Sequence, residues 1–189
     1  MKFSIIIPAF NSEDYIHKAL DSIEQQVFKD YEVIVVCDSC KDGTAAVARS
    51  YGAKVIEVDF SNEGPTRNAG IEAATGDWIL FMDDDDWFMH GMVLTTIDNA
   101  IDDNVDVIQF GFIWGKEGYA SPGDYWACWC KAYRREFVGD VRFSNEKDRS
   151  DVGFKIGIYD KKPRIKSIGS PLYYYDYMRE GSVSWARGY

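Results

Sequence analysis

The chain lacks several features that whole classes of function require. No apolar run approaches the ~20 residues of a membrane-spanning helix. Met1-Lys2-Phe3 leads straight into a strand pattern, not into the basic, apolar and small-residue regions of a secretory signal. Both absences lead to the expectation of a cytoplasmic protein with no transmembrane segment. Basic residues are scarce, with 21 Lys and Arg against 31 Asp and Glu for a formal net charge of −10. No Lys/Arg stripe offsets that field, so a nucleic-acid partner is not expected. The two histidines, His17 and His90, have no partner pattern and read as helix-surface residues. Of the four cysteines, Cys37-x-x-Cys40 has a zinc-like spacing but Cys128-x-Cys130 does not. Packed free thiols are therefore expected in preference to a four-thiolate metal site. Repeats, linkers and low-complexity segments are also missing, and at 189 residues the chain fits one domain with a substantial core.

The most informative stretch is Ile79-Leu80-Phe81-Met82-Asp83-Asp84-Asp85-Asp86-Trp87. Four apolar residues suited to a buried strand run directly into four consecutive carboxylates. Adjacent like charges raise one another's pKa and disfavour a compact turn unless a cation or water separates them. In an extended segment Asp83 and Asp85 share one side and Asp84 and Asp86 the other. Two same-side carboxylates at the carboxyl end of a strand are hard oxygen ligands, suited to Mg²⁺ or Mn²⁺ with positions left for substrate phosphates. The plainer reading is a solvated acidic turn that caps the following helix. The preceding strand favours the ligand-binding reading, because open α/β sheets bind ligands beyond the carboxyl ends of their strands.

Patterning around that stretch gives a coarse fold. Lys2 to Pro8, Tyr31 to Val36, Lys54 to Val58 and Trp78 to Met82 read as strands; Tyr15 to Gln26, Ala45 to Tyr51 and Pro65 to Ala74 read as helices between them. Strands and helices that alternate in this way predict a mostly parallel, Rossmann-like central sheet flanked by helices. Beyond it, His90 to Asp102 predicts a helix and Val105 to Trp114 a long strand. Gly115 to Trp126 predicts a loop, Trp129 to Phe137 a short turn or helix, and Asp151 to Tyr159 a helix. Arg164 to Ile168 and Leu172 to Tyr177 predict two further strands.

The motifs occur in a familiar order. Ile5-Ile6-Ile7-Pro8-Ala9-Phe10-Asn11, Val35-Val36-Cys37-Asp38-Ser39-Cys40-Lys41-Asp42-Gly43-Thr44, Arg67-Asn68-Ala69-Gly70-Ile71 and the Asp83–Asp86 run resemble successive motifs of family-2 inverting glycosyltransferases with the GT-A fold. The resemblance continues through Lys131 to Glu136 and Pro171 to Tyr175, nearly the whole chain. It implies one domain over 1–189, with a nucleotide-sugar-binding half at 1–87 and an acceptor side with a C-terminal lid at 88–189.

The resemblance also implies roles. Pro8, Ala9, Phe10 and Asn11 match the loop beside the nucleotide, with Phe10 near the base. Asp38 matches the carboxylate that accepts a uracil imide N–H, and Arg67 the arginine that offsets phosphate or base charge. Asp83 and Asp85 match the outer positions of the Asp-x-Asp motif that holds Mn²⁺ or Mg²⁺, and Asp84 lies between them in the nucleotide-sugar site. The general base matches Asp151, with Asp148 and Glu146 as sequence neighbours that could take the role. Arg179, in the closing segment, matches a phosphate contact. The implied donor is a UDP-hexose and the implied acceptor a carbohydrate or lipid-linked hydroxyl.

Four departures stand out. Cys37-Asp38 replaces a pair of acids, Ser150-Asp151 replaces Glu-Asp, the step from Asn62 to Arg67 is short, and the chain stops soon after the lid, as in compact bacterial or phage-encoded members. Trp114, Tyr119, Tyr125, Trp126 and Trp129 are either a sugar-stacking platform or core filler. Two other functions compete with transfer. A non-catalytic sugar-nucleotide binder fits the missing Glu, whereas a sugar-phosphate nucleotidyltransferase lacks its Gly-rich, basic loop at Pro8–Asn11. The sugar, acceptor, linkage and oligomeric state are not encoded legibly.

Overall fold

The computed structural model of the chain describes residues 1–115, 118–120, 126–146 and 150–176. Its first half alternates strand and helix: β1 (Phe3–Ala9), α1 (Ile16–Glu24), β2 (Tyr31–Asp38), α2 (Thr44–Ser50), β3 (Lys54–Val58), α3 (Glu63–Ala73) and β4 (Trp78–Phe81). There follow β5 (Trp87–Phe88), α4 (Val93–Asp98), β6 (Val107–Trp114), β7 (Gly118–Ala120), β8 (Lys131–Arg134), α5 (Arg135–Val138), α6 (Ser150–Asp160) and β9 (Ile165–Tyr175). The strands form one sheet in the order β3-β2-β1-β4-β8-β6-β9-β5, with β7 paired to β6.

Strand alternation divides the core between two faces. Ile5 and Ile7 of β1, Val35 and Cys37 of β2 and Leu80 and Met82 around β4 pack with Ile16, Ala19, Leu20 and Ile23 of α1. Ile6, Ile34, Val36, Ile79 and Phe81 face the other way, toward Ile71 of α3 and Phe154 and Ile158 of α6. Apolar runs without polar interruption are what a strand buried on both faces requires. The central strands accordingly leave Ile5, Ile6 and Ile7 with no exposed surface.

The second half departs from the expected elements in three places. Lys131–Arg134, expected within a turn or helix, is a strand wedged between β4 and β6 and antiparallel to both. The two strands expected between Arg164 and Tyr177 are one strand, β9, irregular near Gly111 where it runs parallel to β6. The helix expected from His90 starts only at Val93. Residues before it are held by backbone bonds from the Met89 amide to the Leu172 carbonyl (3.0 Å) and from the Val27 amide to the Gly91 carbonyl (2.8 Å). Among the described residues, parallel pairing is confined to β1–β2, β1–β4, β2–β3 and β6–β9, so the sheet is parallel from β3 to β4 and mixed beyond.

Helix α3 lies unusually close to the sheet. A Cβ placed on Gly70 would stand 2.3 Å from Ile6 Cγ2. Alanine should favour an exposed helix over glycine by about 1 kcal/mol. Gly70→Ala is expected to do the reverse, lowering stability in urea denaturation by about 1–3 kcal/mol through overpacking.

Candidate active site

Strands β2, β1 and β4 are adjacent and parallel, so Asp38, the Pro8–Asn11 loop and Asp83 emerge at the same edge. This is where ligands of open α/β sheets bind. The extended reading of the aspartate run does not hold there. The Asp86 amide donates to the Asp83 carbonyl (3.2 Å), which closes a turn and sends the four acids to different partners. Asp84 Oδ2 accepts the Phe10 amide (3.3 Å), joining the turn to the loop after β1. Asp86 is fully buried and accepts the Tyr173 hydroxyl (2.6 Å) and the Asp176 amide (2.8 Å). The same Tyr173 oxygen accepts the Asp83 amide (3.1 Å), tying β9 to the turn.

Asp83 bonds to Arg67. The guanidinium is 4% exposed; Nη2 donates to Asp83 Oδ1 (2.9 Å) and Nη1 to Glu63 Oε2 (3.0 Å). Nη1 also lies 3.5 Å from Asp151 Oδ1. One cation thus gathers the donor-side acid and the candidate base. Asp151 Oδ2 accepts the Cys128 amide (3.3 Å), and Oδ1 has no hydrogen-bond partner among the described residues. Asp151 stands in the first turn of α6, where a negative charge is favoured.

The electrostatics follow from crowding. Burial pushes the Asp84 carboxyl up to about 8, with Asp85 adding to the rise and the Ser12 and Phe10 bonds opposing it. Asp83 is raised by burial too; Arg67 opposes, while Glu63, Asp85 and Asp151 add to the rise. Asp86 is pushed well above the carboxylate range by burial, then by Asp85 and Asp83. Burial disfavours the charged form of Arg67, yet Asp151, Cys128, Asp83 and Glu63 more than offset it. Asp83 and Asp85 offer hard oxygens, and no group of three or more His, Cys, Asp or Glu able to hold a metal occurs among the described residues. Substrate phosphates would complete the coordination, as they commonly do for Mg²⁺.

Asp38 lies in the expected place, but its partners are internal. Its Oδ1 accepts the Phe60 and Ser61 amides (2.8 Å each) and the Ser39 hydroxyl (3.0 Å). Oδ2 accepts the Asn62 amide (2.9 Å) and the Thr66 hydroxyl (2.8 Å). Burial would raise this carboxyl, but the Asn62, Ser61, Thr66 and Phe60 bonds outweigh it and hold the group below its ordinary range.

The other expected residues sort as follows. Phe10 is 60% exposed at the edge, and Asn11 takes a left-handed conformation (φ 48°) with its Oδ1 accepting the Lys41 amide (2.8 Å). Pro8 and Ala9 lie within β1, paired with Val36 and Cys37. Arg179 and Asp148 lie outside the described residues, as does Tyr125. Trp129 is core, stacked on Tyr173 (4.7 Å between centroids) and Tyr175 (4.9 Å). Trp126 remains 56% exposed, with Lys155 Nζ 4.2 Å from its ring centre. Cys37, Cys128 and Cys130 are buried free thiols, and Cys40 is half-buried.

Sequence reasoning missed Glu63, Tyr173 and the Cys128 amide. Glu63 and Arg67 are four apart on a helix, a readable ion-pair spacing. The Tyr173 and Cys128 contacts are long-range and leave no local signal.

A sheet that is parallel from β3 to β4 and mixed beyond, with an acidic turn, the loop after β1 and the start of α6 brought together at one edge, is the GT-A, nucleotide-diphospho-sugar transferase class of fold. The solved structure of Staphylococcus aureus TarS residues 1–349 in complex with UDP-GlcNAc superposes with a TM-score of 0.88 at 27% identity, covering 98% of this chain and 61% of that one. The sequence model of Glycosyl transferase family 2 matches residues 4–150, and the chain belongs to that family. It is 27% identical to the uncharacterized glycosyltransferase EpsJ of Bacillus subtilis, over 91% of this chain and 60% of that protein. It is 29% identical to the poly(ribitol-phosphate) beta-N-acetylglucosaminyltransferase TarS of S. aureus, over 96% of this chain. The chain spans 36% of TarS and so corresponds to part of the length of these relatives.

Asp38→Asn is expected to lower stability at pH 7 by about 2 kcal/mol, since donors now bonded to a carboxylate lose acceptors. A depressed carboxyl contributes stability above its unfolded pKa, near 3.9, and loses it as pH falls through the folded value. The gap between variant and parent in thermal melts should therefore narrow from pH 7 to pH 3.

Proposed function

We propose that this chain is a metal-dependent, inverting glycosyltransferase that moves a hexose from a UDP-sugar to the hydroxyl of a carbohydrate or lipid-linked acceptor in the cytoplasm. The observation that carries the reading is the single buried guanidinium of Arg67 set between Asp83 and Asp151. It fixes a donor-side acid and an acceptor-side base relative to each other, which a displacement at one carbon needs.

The roles follow from the contacts. Pro8 to Asn11 and Asp84 would form the floor under the nucleoside, with the Phe10 amide held by Asp84. Asp83 and Asp85 would hold Mn²⁺ or Mg²⁺, and that ion, when bound, supplies positive charge to the leaving diphosphate. Arg67 keeps Asp83 oriented while its other nitrogen faces Asp151. Asp151 Oδ1 would take the proton of the acceptor hydroxyl. The acceptor oxygen then bonds to the anomeric carbon opposite the departing UDP, whose oxygen leaves with the bonding pair. Arg179 would contact the diphosphate from the segment after β9. Trp126, exposed among the described aromatics of the earlier set, is suited to stack on an acceptor ring.

Binding and catalysis separate experimentally. Asp151→Asn should retain UDP affinity by calorimetry while UDP release from a panel of UDP-sugars falls by about 10²-fold or more, the scale of a lost general base. Equal turnover in that variant and its parent would remove Asp151 from the mechanism. No turnover by the parent with any sugar, alongside intact UDP binding, would favour the non-catalytic binder. Asp85→Ala should abolish Mn²⁺-dependent UDP binding, whereas Cys37→Ser, a change in the core away from the acidic turn, should leave it intact.

A further inference from the structure

Sugar transfer gives the Cys37-x-x-Cys40 spacing no role. Both cysteines converge on Ala9. Cys37 is its register partner across β1 and β2, and the Cys40 thiol donates to the Ala9 carbonyl (3.4 Å). Ser39 bends the chain back between them in a left-handed conformation (φ 57°). Cys37 belongs to the core on the α1 face of the sheet, and Cys40 packs against that same core.

The two thiols differ in access. Cys37 is 1% exposed and Cys40 half-buried, while Cys128 and Cys130 are buried. Cys40 is therefore the thiol that a small solute meets first. Burial pushes the Cys37 thiol up to about 12, and Cys40 adds to the rise through its charge and a side-chain hydrogen bond. Cys37 thus stays protonated and inert until its neighbour changes. An accessible thiol poised next to a resolving one is the arrangement of redox-sensing cysteines.

We infer that Cys37 and Cys40 are a reversible dithiol, closed to a disulfide by hydrogen peroxide, whose oxidation weakens donor binding. The effect on the donor rests on the glycosyltransferase reading above; the disulfide itself does not. The Cys40 sulfur attacks one peroxide oxygen and the O–O bond breaks. The departing hydroxide takes the thiol proton as water and leaves a sulfenic acid. The Cys37 sulfur then displaces the hydroxyl of that acid, its own proton leaves in a second water, and the S–S bond forms. A dithiol reductant reverses the closure, its two thiols becoming a disulfide in turn. A disulfide sulfur carries no proton, so oxidised Cys40 loses its bond to the Ala9 carbonyl. The segment it starts is tied to the loop after β1. The Lys41 amide donates to Asn11 Oδ1 (2.8 Å), the Ser12 amide to Thr44 Oγ1 (2.8 Å) and the Glu13 amide to Asp42 Oδ2 (3.1 Å). Closure therefore pulls on the loop proposed to lie under the nucleoside.

The test treats the folded full chain with hydrogen peroxide. On unfolding, two of the four thiols should then resist alkylation, and the peptide carrying Cys37 and Cys40 should be lighter by two hydrogens. Calorimetry with UDP and Mn²⁺ should show affinity reduced by about tenfold, the worth of one or two local hydrogen bonds, and dithiothreitol should restore it. Cys37→Ser should bind UDP as the reduced parent does and should halt oxidation at the Cys40 sulfenic acid, which dimedone labels. Cys40→Ser should gain neither label nor disulfide, and peroxide should leave its UDP affinity unchanged. The peroxide and dithiothreitol cycle on the parent needs no substitution, so it decides even if a variant fails to fold. Absence of a Cys37–Cys40 disulfide, unchanged UDP affinity in the oxidised parent, or a loss that dithiothreitol does not reverse overturns the inference. Failure of the reduced parent to bind UDP overturns the donor reading and the effect on binding with it, while the thiol count still decides the disulfide.

Discussion

The structure turns on one buried cation. Arg67 is enclosed with Asp83, Asp151 and Glu63 around it, at the edge of a sheet that delivers four consecutive acidic positions, Asp83 among them. A charge withdrawn from water is tolerated only when it is paired, and breaking such a pair typically costs about 3–5 kcal/mol. The guanidinium suits the task because its fork presents separate nitrogens to separate carboxylates, which an ammonium cannot do in a fixed plane. Helix α3 brings Arg67 this close to the sheet because Gly70, nearly one turn further on, lets the helix lie against Ile6. Packing at a glycine and charge pairing at an arginine are therefore one arrangement seen from two sides.

That arrangement explains the division of labour within the aspartate run. Four adjacent carboxylates cannot all face one point without strong repulsion, and the turn at Asp83–Asp86 disperses them. Asp83 meets Arg67, Asp84 meets the Phe10 amide, and Asp86 is drawn inward to Tyr173 and Asp176. The inward member holds β9 to the turn, while Asp83, Asp84 and Asp85 stay half-buried at the sheet edge. The same economy recurs at Asp38, whose carboxylate ties the loop before α3 to the end of β2.

Much of this was legible from sequence, and the misses have physical causes. Strands β1, β2 and β4 announce themselves because burial on both faces demands apolar runs such as Ile5-Ile6-Ile7 and Trp78 to Phe81, whereas β3 is an edge strand with Lys54 and Glu57 exposed. Strand β8 was hidden because Lys131 and Arg134 give it a polar appearance, although Lys131 is buried with Nζ on the Ala127 carbonyl. Strand β9 looked like two because Gly169-Ser170-Pro171 reads as a turn, whereas the chain absorbs it as an irregularity against β6. At the site, the positions of Asp38, Arg67, Asp83 and Asp151 were readable, but the company of Asp38 was not. Backbone amides leave no trace in a side-chain pattern, so a carboxylate surrounded by them looks the same in sequence as one left free. The aspartate turn was misread as extended because local alternation carries no information about repulsion relieved by distant partners.

Tyr173 carries one further consequence. Its hydroxyl touches both Asp83 and Asp86 while its ring lies flat on Trp129, itself sandwiched against Tyr175. A shift of the acidic turn would be passed by a rigid phenol to a shielded indole, so the molecule contains its own optical gauge. With the other five tryptophans replaced by phenylalanine, emission from Trp129 would register a displacement of the turn without any attached dye.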